Sequence, residues 1–206
     1  MFWEVFIRGD VLLWVILVLG VVTLVIFFNR LFQLHRERVD SADLLSGIIN
    51  NVQRGNVAEA RQHCAITPGP VSHVLQASID GMGKSIEDVI QDVDMVGRTE
   101  IVRMERRLSL LALIAQTAPV LGLIGAVFGL IRLVVSIRET APLTQVADVA
   151  GGLIPALMVT AAGLVVSMIA FAAYHVLVGK IDRLVIEMEQ AATSMVQFIR
   201  SERSKS

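Results

Sequence analysis

The run Ala118-Pro119-Val120-Leu121-Gly122-Leu123-Ile124-Gly125-Ala126-Val127-Phe128-Gly129 decides the fold. It sits inside Leu108–Ile131, a segment without a single Asp, Glu, Lys or Arg. A second such segment, Val149–Gly179, follows. Each carries small and hydroxyl side chains at steps of three and four, which place them on one helix face. In the first the stripe is Ala118, Gly122, Gly125 and Gly129; in the second it is Ala156, Thr160, Gly163, Ser167 and Ala170. Stripes of this kind let membrane helices pack backbone against backbone.

Working outward, the chain of 206 residues is 54% hydrophobic, and its mean hydropathy is +0.67. A soluble domain of this size carries less apolar content and interrupts it more often. A bilayer-spanning helix needs about 20 apolar residues, and three segments answer to that: Val11–Phe28, Leu108–Ile131 and Val149–Gly179. The first is read as a retained anchor rather than a signal peptide. Glu4 and Asp10 precede it where a basic region belongs, and no small-residue cleavage site follows.

The net charge is −1, which favours neither nucleic acid nor another polyanion as partner. The distribution of Lys and Arg says more. Arg30, Arg36 and Arg38 follow the first span, Arg98, Arg103, Arg106 and Arg107 precede the second, and Lys180 and Arg183 follow the third. The connection between spans two and three has only Arg132 and Arg138. The positive-inside rule therefore puts the N-terminus outside and both residues 30–107 and the C-terminus inside. The expected organisation is a short periplasmic N-terminus (1–10), a first transmembrane helix (11–29), a cytoplasmic helical domain (30–107), a second transmembrane helix (108–132), a periplasmic loop (133–148), a third transmembrane helix (149–179) and a cytoplasmic C-terminal helix and tail (180–206). The expected fold is an all-α integral membrane protein with three transmembrane helices, two of them long and extended into the cytoplasmic domain.

Trp3 and Trp14 suit the membrane interface. The first span is Leu-rich and β-branched, with Gly20 its only small residue, as befits a lipid-facing helix. In 31–107, helices are expected over Asp43–Val52, Asn56–Cys64 and Val71–Met82, with a turn at Thr67-Pro68-Gly69-Pro70. Leu44, Ile48, Val74 and Ile79 read as core. Ser85 is a helix N-cap with Asp88 at the third helical position. From there periodicity continues through Val89, Val93, Val96 and Met104 into span two, Gly97 being the weak point. Span three continues past Lys180 to about Arg200, with Ile181, Leu184, Val185, Met188, Ala191, Ala192, Met195 and Phe198 at helical spacing.

Candidate chemistry is sparse, and the sparseness is informative. Cys64 is the only cysteine, so no internal disulfide forms. The four histidines, His35, His63, His73 and His175, are scattered, and no cluster suggests a metal or a cofactor. No nucleotide loop, triad or carboxylate pair supports an enzyme. Pro119 and Pro155 lie inside spans two and three, where proline frees a carbonyl and permits a bend. Among in-membrane polar residues, Thr117 reads as bonding its own backbone. Thr160 lies on the small-residue stripe, roughly 18 Å inward of Asp148 and so near mid-bilayer. Ion pathways across a membrane use intramembrane ionisable groups. Neither span has one in its core, so if the chain conducts ions the titrating carboxylate has to come from another chain, and without such a partner it is no proton channel. Arg103, Arg106 and Arg107 lie just below span two, as topology and snorkelling residues or as contacts to anionic lipid or an interface.

Two segments carry a family resemblance: Thr117-Ala118-Pro119-Val120-Leu121-Gly122-Leu123-Ile124-Gly125-Ala126-Val127-Phe128-Gly129-Leu130 and Ala156-Leu157-Met158-Val159-Thr160-Ala161-Ala162-Gly163-Leu164. They resemble the MotA/TolQ/ExbB proton-channel family, ExbB in particular. The segments Arg106-Arg107-Leu108 and Asp148-Val149-Ala150-Gly151-Gly152-Leu153 resemble it too. The resemblance implies a homo-oligomer, a pentamer, around ExbD- or TolR-like single-span subunits that supply an intramembrane Asp. It implies work driven by proton motive force at the bacterial inner membrane, passed to a TonB-like protein that opens outer-membrane transporters. It implies that Thr160, Ala126, Gly122, Gly125, Gly129, Ala156, Gly163 and Ser167 line the ion pathway, Thr160 matching the family's second pore threonine. Two positions depart from the family pattern: Ala126 stands where a pore threonine is usual, and Pro155 where an acid often begins the span-three motif. A TolQ-like role in envelope maintenance and a non-conducting scaffold of the same fold are the rival readings; a MotA-like flagellar stator with four spans fits less well.

Overall fold

A computed structural model describes residues 11–36, 41–106, 108–140 and 146–205. The expectations for Trp3 and residues 1–10, for Arg38 and Arg107, and for the loop at 141–145 lie outside the described residues, as does the side chain of Asp148. The described chain runs as seven α-helices: α1 Val11–Arg36, α2 Ser41–Gln53, α3 Val57–Ile66, α4 Pro70–Asp80, α5 Ile86–Glu105, α6 Ser109–Thr140 and α7 Val146–Lys205. No strand occurs among the described residues. Three helical stretches, centred on α1, α6 and α7, are long and apolar enough to cross a membrane. The all-α expectation and the three apolar helices are thus observed.

The chain divides into two compact units, and α7 contributes to both. The apolar unit draws on Met1–Asn29 and Leu108–Val176. Its core joins Leu13 and Ile16 of α1, Ile114, Ala115 and Ala118 of α6, and Val159, Val166 and Ala170 of α7. Small residues recur in this core because without a hydrophobic force between helices in lipid, close packing carries the association. The buried positions of α7 run Ala156, Val159, Gly163, Val166, Ala170 and Ala173, alternating steps of three and four. Most other large side chains of this unit, such as Leu113, Val120, Leu123, Phe128, Leu164 and Met168, face outward. That outward apolar surface is what a hydrocarbon environment requires.

Helix α1 corrects one expectation. It is not simply lipid-facing: Leu13, Ile16 and Thr23 are buried on one stripe. Gly20 belongs to that stripe, and a Cβ built on it would stand 3.1 Å from Val166 Cγ2. The small residue marks a close helix contact rather than an inert lipid face.

The second unit draws on Arg30–Arg107 and Leu177–Ser206. Helix α4 packs on both α3 and α5, and α2 on α3. Its start is set by local chemistry. Gly69 holds φ at 130°, which favours glycine, Pro70 enters at the first helical turn, and Ser72 Oγ lies 2.8 Å from the Thr67 carbonyl and 2.7 Å from that of Gly69. The core takes Ile48, Cys64, Val74, Leu75, Ile79 and Val89, so Ile48, Val74 and Ile79 are core as expected, while Leu44 is half-buried. On α7 the buried stripe continues as Leu177, Ile181, Leu184, Met188, Ala191, Met195 and Ile199. Steps of three and four persist along this stripe, which explains why the helix stays unbroken where its composition turns polar.

The Ser85 cap is observed: its Oγ accepts from the Asp88 backbone N–H at 3.2 Å. The expected continuity into span two is not. Helix α5 ends at Glu105 and α6 begins at Ser109, whereas Gly97 lies well inside α5. Glycine costs a helix interior only about 1 kcal/mol, so the surrounding turns tolerate it. The chain instead breaks beside Arg30, whose buried Nη2 donates to the Met104 carbonyl at 3.0 Å and whose Nη1 donates to Gln33 Oε1 at 2.9 Å. A helix end leaves carbonyls without partners, and this guanidinium occupies one of them.

Candidate functional site

The glycine stripe of α6 is buried against α7 of the same chain. A Cβ built on Gly122 would lie 3.2 Å from the Thr160 carbonyl oxygen and 3.4 Å from Gly163 Cα. One on Gly163 would lie 2.7 Å from the Ala118 carbonyl oxygen and 3.0 Å from Gly122 Cα. One on Gly129 would meet Ala156 Cβ at 2.5 Å, and one on Gly125 would clash with Val159. The contacts pair 118 with 163, 122 with 160 and 129 with 156, so α6 and α7 run antiparallel with backbones nearly touching. These glycines form the seam between the two helices of one chain. Ala156 and Gly163 are buried in it, while Thr160, Ala126 and Ser167 are half-buried at its margin.

Two hydroxyls stitch the seam. Thr160 Oγ1 is within donating distance of two carbonyls, Gly122 O at 3.2 Å across the seam and Ala156 O at 3.1 Å on its own helix. Its single proton is committed to backbone oxygen, so its two lone pairs can accept from an incoming donor. Ser167 Oγ donates to the Ala115 carbonyl at 2.7 Å. Ala115 is four residues before Pro119, the residue whose missing N–H would otherwise bond that carbonyl. Ser167 thus satisfies the acceptor that Pro119 frees. Pro155 and Pro119 both sit half-buried within continuous helices.

Thr117 Oγ1 donates to Leu113 O at 2.8 Å, the i−4 backbone bond expected of it. Arg103 and Arg106 are in the other unit and exposed; Arg103 lies 3.5 Å from Glu100, which also meets His73 Nδ1 at 3.1 Å. These two arginines are not brought to the seam. Sequence reading missed the Pro119–Ser167 relation and the buried role of Arg30. The signal for the first was present: a proline beside one stripe, and a hydroxyl in the facing one. Arg30 carried no local signal beyond its place at the end of an apolar run. Among the described residues, no group of His, Cys, Asp and Glu is arranged to hold a metal ion.

Antiparallel, glycine-packed apolar helices with a threonine on their seam narrow the comparison with known proteins. The pattern of the MotA/TolQ/ExbB proton channel family matches residues 67–190, more than half of the chain. The chain belongs to this family. As a member of the MotA/TolQ/ExbB family it is a membrane protein of a channel-forming class. It is similar to a Methanothermobacter thermautotrophicus protein provisionally named biopolymer transport protein ExbB homolog, at 26% identity over 90% of this chain and 66% of the relative. It is also similar to a Synechocystis protein provisionally named biopolymer transport protein ExbB-like 1, at 29% identity over 84% of this chain and 69% of the relative. The family member described here therefore spans about two-thirds of the length of these relatives.

Proposed function

We propose that this chain is an ExbB-like subunit of an inner-membrane motor driven by proton motive force. In this reading, copies of the chain form a homo-oligomer, a pentamer, around an ExbD-like single-span subunit that carries an intramembrane Asp. The motor energises a TonB-like protein and so outer-membrane transport. The observation that carries the reading is the Thr160 hydroxyl, poised on a seam between two apolar segments, 108–131 and 149–179, that hold no acid. A protonated carboxyl from the partner would donate to Thr160 Oγ1, whose own proton already points to a backbone carbonyl. The hydroxyl then holds the acid neutral in the apolar layer, where a bare carboxylate is costly. Residues 1–10 and 133–148 face the periplasm in this reading, and 30–107 and 180–206 the cytoplasm. Arg103, Arg106 and Arg107 lie at the inner membrane surface, where anionic headgroups attract cations.

Proton flux into liposomes tests it. Flux is expected with the ExbD-like partner and not without it. Thr160→Val, which keeps shape and removes the hydroxyl, should reduce it, and Thr160→Ser should retain more. An intact oligomer with partner bound and no flux would overturn the motor reading in favour of a non-conducting scaffold. That second reading is favoured by Ala126, which removes the hydroxyl usual at its position. A TolQ-like subunit would conduct in the same way and differ in the envelope protein it drives.

A further inference from the structure

The row of hydroxyls on α7 continues beyond the seam. Thr160, Ser167 and Tyr174 follow one another at steps of seven, which keeps them on one side of the helix, and all three are half-buried. The first two meet α6 in one register. Thr160 reaches the Gly122 carbonyl; Ser167, seven residues on, donates to that of Ala115, seven residues back. The same register sets Tyr174 opposite Leu108, just before α6 begins, and the Leu108 carbonyl already accepts from the Ala112 N–H at 3.1 Å. The third hydroxyl of the row therefore has no hydrogen-bond partner among the described residues.

His175 stands beside this open hydroxyl. It is exposed, and its ring meets Phe171 edge to face, with centroids 4.3 Å apart, and Tyr174 likewise at 5.4 Å. Contacts of this geometry are favourable and hold the imidazole in place. Neither ring nitrogen has a hydrogen-bond partner among the described residues.

Composition makes the position singular. The apolar segments 11–28, 108–131 and 149–179 hold no Asp, Glu, Lys, Arg or Cys, so Tyr174 and His175 are their only titratable side chains. Of the two side-chain types, imidazole is the one that gains and loses a proton around neutrality. Ionisable groups within membrane helices are costly and mark ion paths and proton relays. His175 lies five residues before Lys180, the first charge after its segment, which is roughly 7 Å of helix rise. It also lies within about 60° of Thr160 around the helix axis. Aromatic and imidazole rings also gather at the headgroup level as anchors, but an anchor has no reason to continue the row that begins at Thr160.

We infer that His175 carries the proton at the cytoplasmic mouth of the ion path, with Tyr174 beside it. The inference rests on the proposed function and extends it past Thr160. Fifteen residues, roughly 22 Å of rise, separate the two, so they exchange no proton by contact. The partner's carboxyl gives its proton to water in the inner half of the path. The neutral imidazole takes a proton from that water on its bare nitrogen, so an O–H bond breaks and an N–H bond forms. The imidazolium then releases one N–H proton to cytoplasmic water and is neutral again.

Proton flux into liposomes holding the chain with its ExbD-like partner tests this. His175→Ala should lose most of the flux. His175→Asn, which keeps a polar side chain of similar size and cannot take up the proton, should lose it too. Imidazole added to the buffer should restore flux to His175→Ala, because a diffusible ring does the same chemistry. It should not restore flux to Thr160→Val, which also controls for leakage by imidazole itself. Undiminished flux in His175→Asn overturns the inference and leaves the motor reading standing, as does a loss in His175→Ala that imidazole leaves unrepaired. A complex that comes apart in both variants marks the ring as structural and overturns it as well. No flux in the unsubstituted complex fails the motor reading, and this inference falls with it.

Discussion

Pro119 has no N–H, so the Ala115 carbonyl loses its ordinary helical partner, and Ser167 donates to it instead at 2.7 Å. An acceptor left unpaired in an apolar layer is costly, although measured interhelical bonds in membranes average nearer 0.6 kcal/mol than the several expected. Ser167→Ala should therefore destabilise the apolar unit by about 1 kcal/mol. In a Pro119→Ala background the loss should shrink, because residue 119 then supplies the missing donor. Unfolding of all four variants in micelles closes this double-mutant cycle; equal losses in both backgrounds would show that the two residues are unrelated. Gly163 is the stricter case. Its neighbours at 2.7 and 3.0 Å are backbone atoms of α6, which no rotamer change can move aside. Gly163→Val should separate the helices at a cost of about 1–3 kcal/mol or more, whereas Gly179→Ala, with nothing within 4 Å, should be neutral or slightly stabilising. The same unfolding measurement compares them.

At the scale of elements, the break between α5 and α6 shows where sequence reading stops. Helix α7 was legible because a single apolar period runs from Ala156 to Ile199 and each turn reports its own burial. The Ser85 start was legible because an N-cap and its third residue are neighbours in sequence. The stop at Glu105 was not, because its stabilising partner, Arg30, is 74 residues away and belongs to α1. Gly97 looked weak by propensity alone, and propensity yields to context. The seam followed the same rule. Which residues share a stripe was readable from spacing, but that Gly122 faces Thr160 and Ala115 faces Ser167 depends on the register of two helices. Arg30 gives the element-scale prediction. Arg30→Met keeps the long apolar stem and removes the donor to Met104, leaving a buried carbonyl unpaired. The expected cost is about 1–3 kcal/mol, seen as earlier melting of helical circular dichroism, with Ser85→Ala costing about 1 kcal/mol at the other end of α5. A variant Arg30→Met that melts with the unsubstituted chain would remove the capping role.

For the molecule as a whole, Cys64 is a built-in gauge of opening. It is the only cysteine, and it is buried in the second unit at 1% exposure. Burial, with a smaller contribution from the charge of Asp80, pushes its thiol up to about 11 from an ordinary 9.0. Only the thiolate alkylates readily, so iodoacetamide at pH 8 should label the folded protein slowly and the unfolded protein fast. Labelling that is already fast in the folded state would place the thiol at the surface. The same shift sets a pH dependence whose sign follows from proton binding. Between pH 9 and about 11 the unfolded chain has released this proton and the folded chain still holds it. Stability must then fall as pH rises. The contribution is fully present below pH 9 and gone once the folded thiol ionises. Denaturant midpoints measured across this window should decline, and the decline should be smaller in Cys64→Ala, which cannot release the proton in either state. Equal slopes for the two proteins would assign the alkaline loss to other groups, such as the Lys84–Asp92 pair, whose lysine is also held above its ordinary range by the aspartate's hydrogen bond and charge. The double variant Cys64→Ala with Lys84→Met separates the two, since each substitution should remove only its own part of the slope.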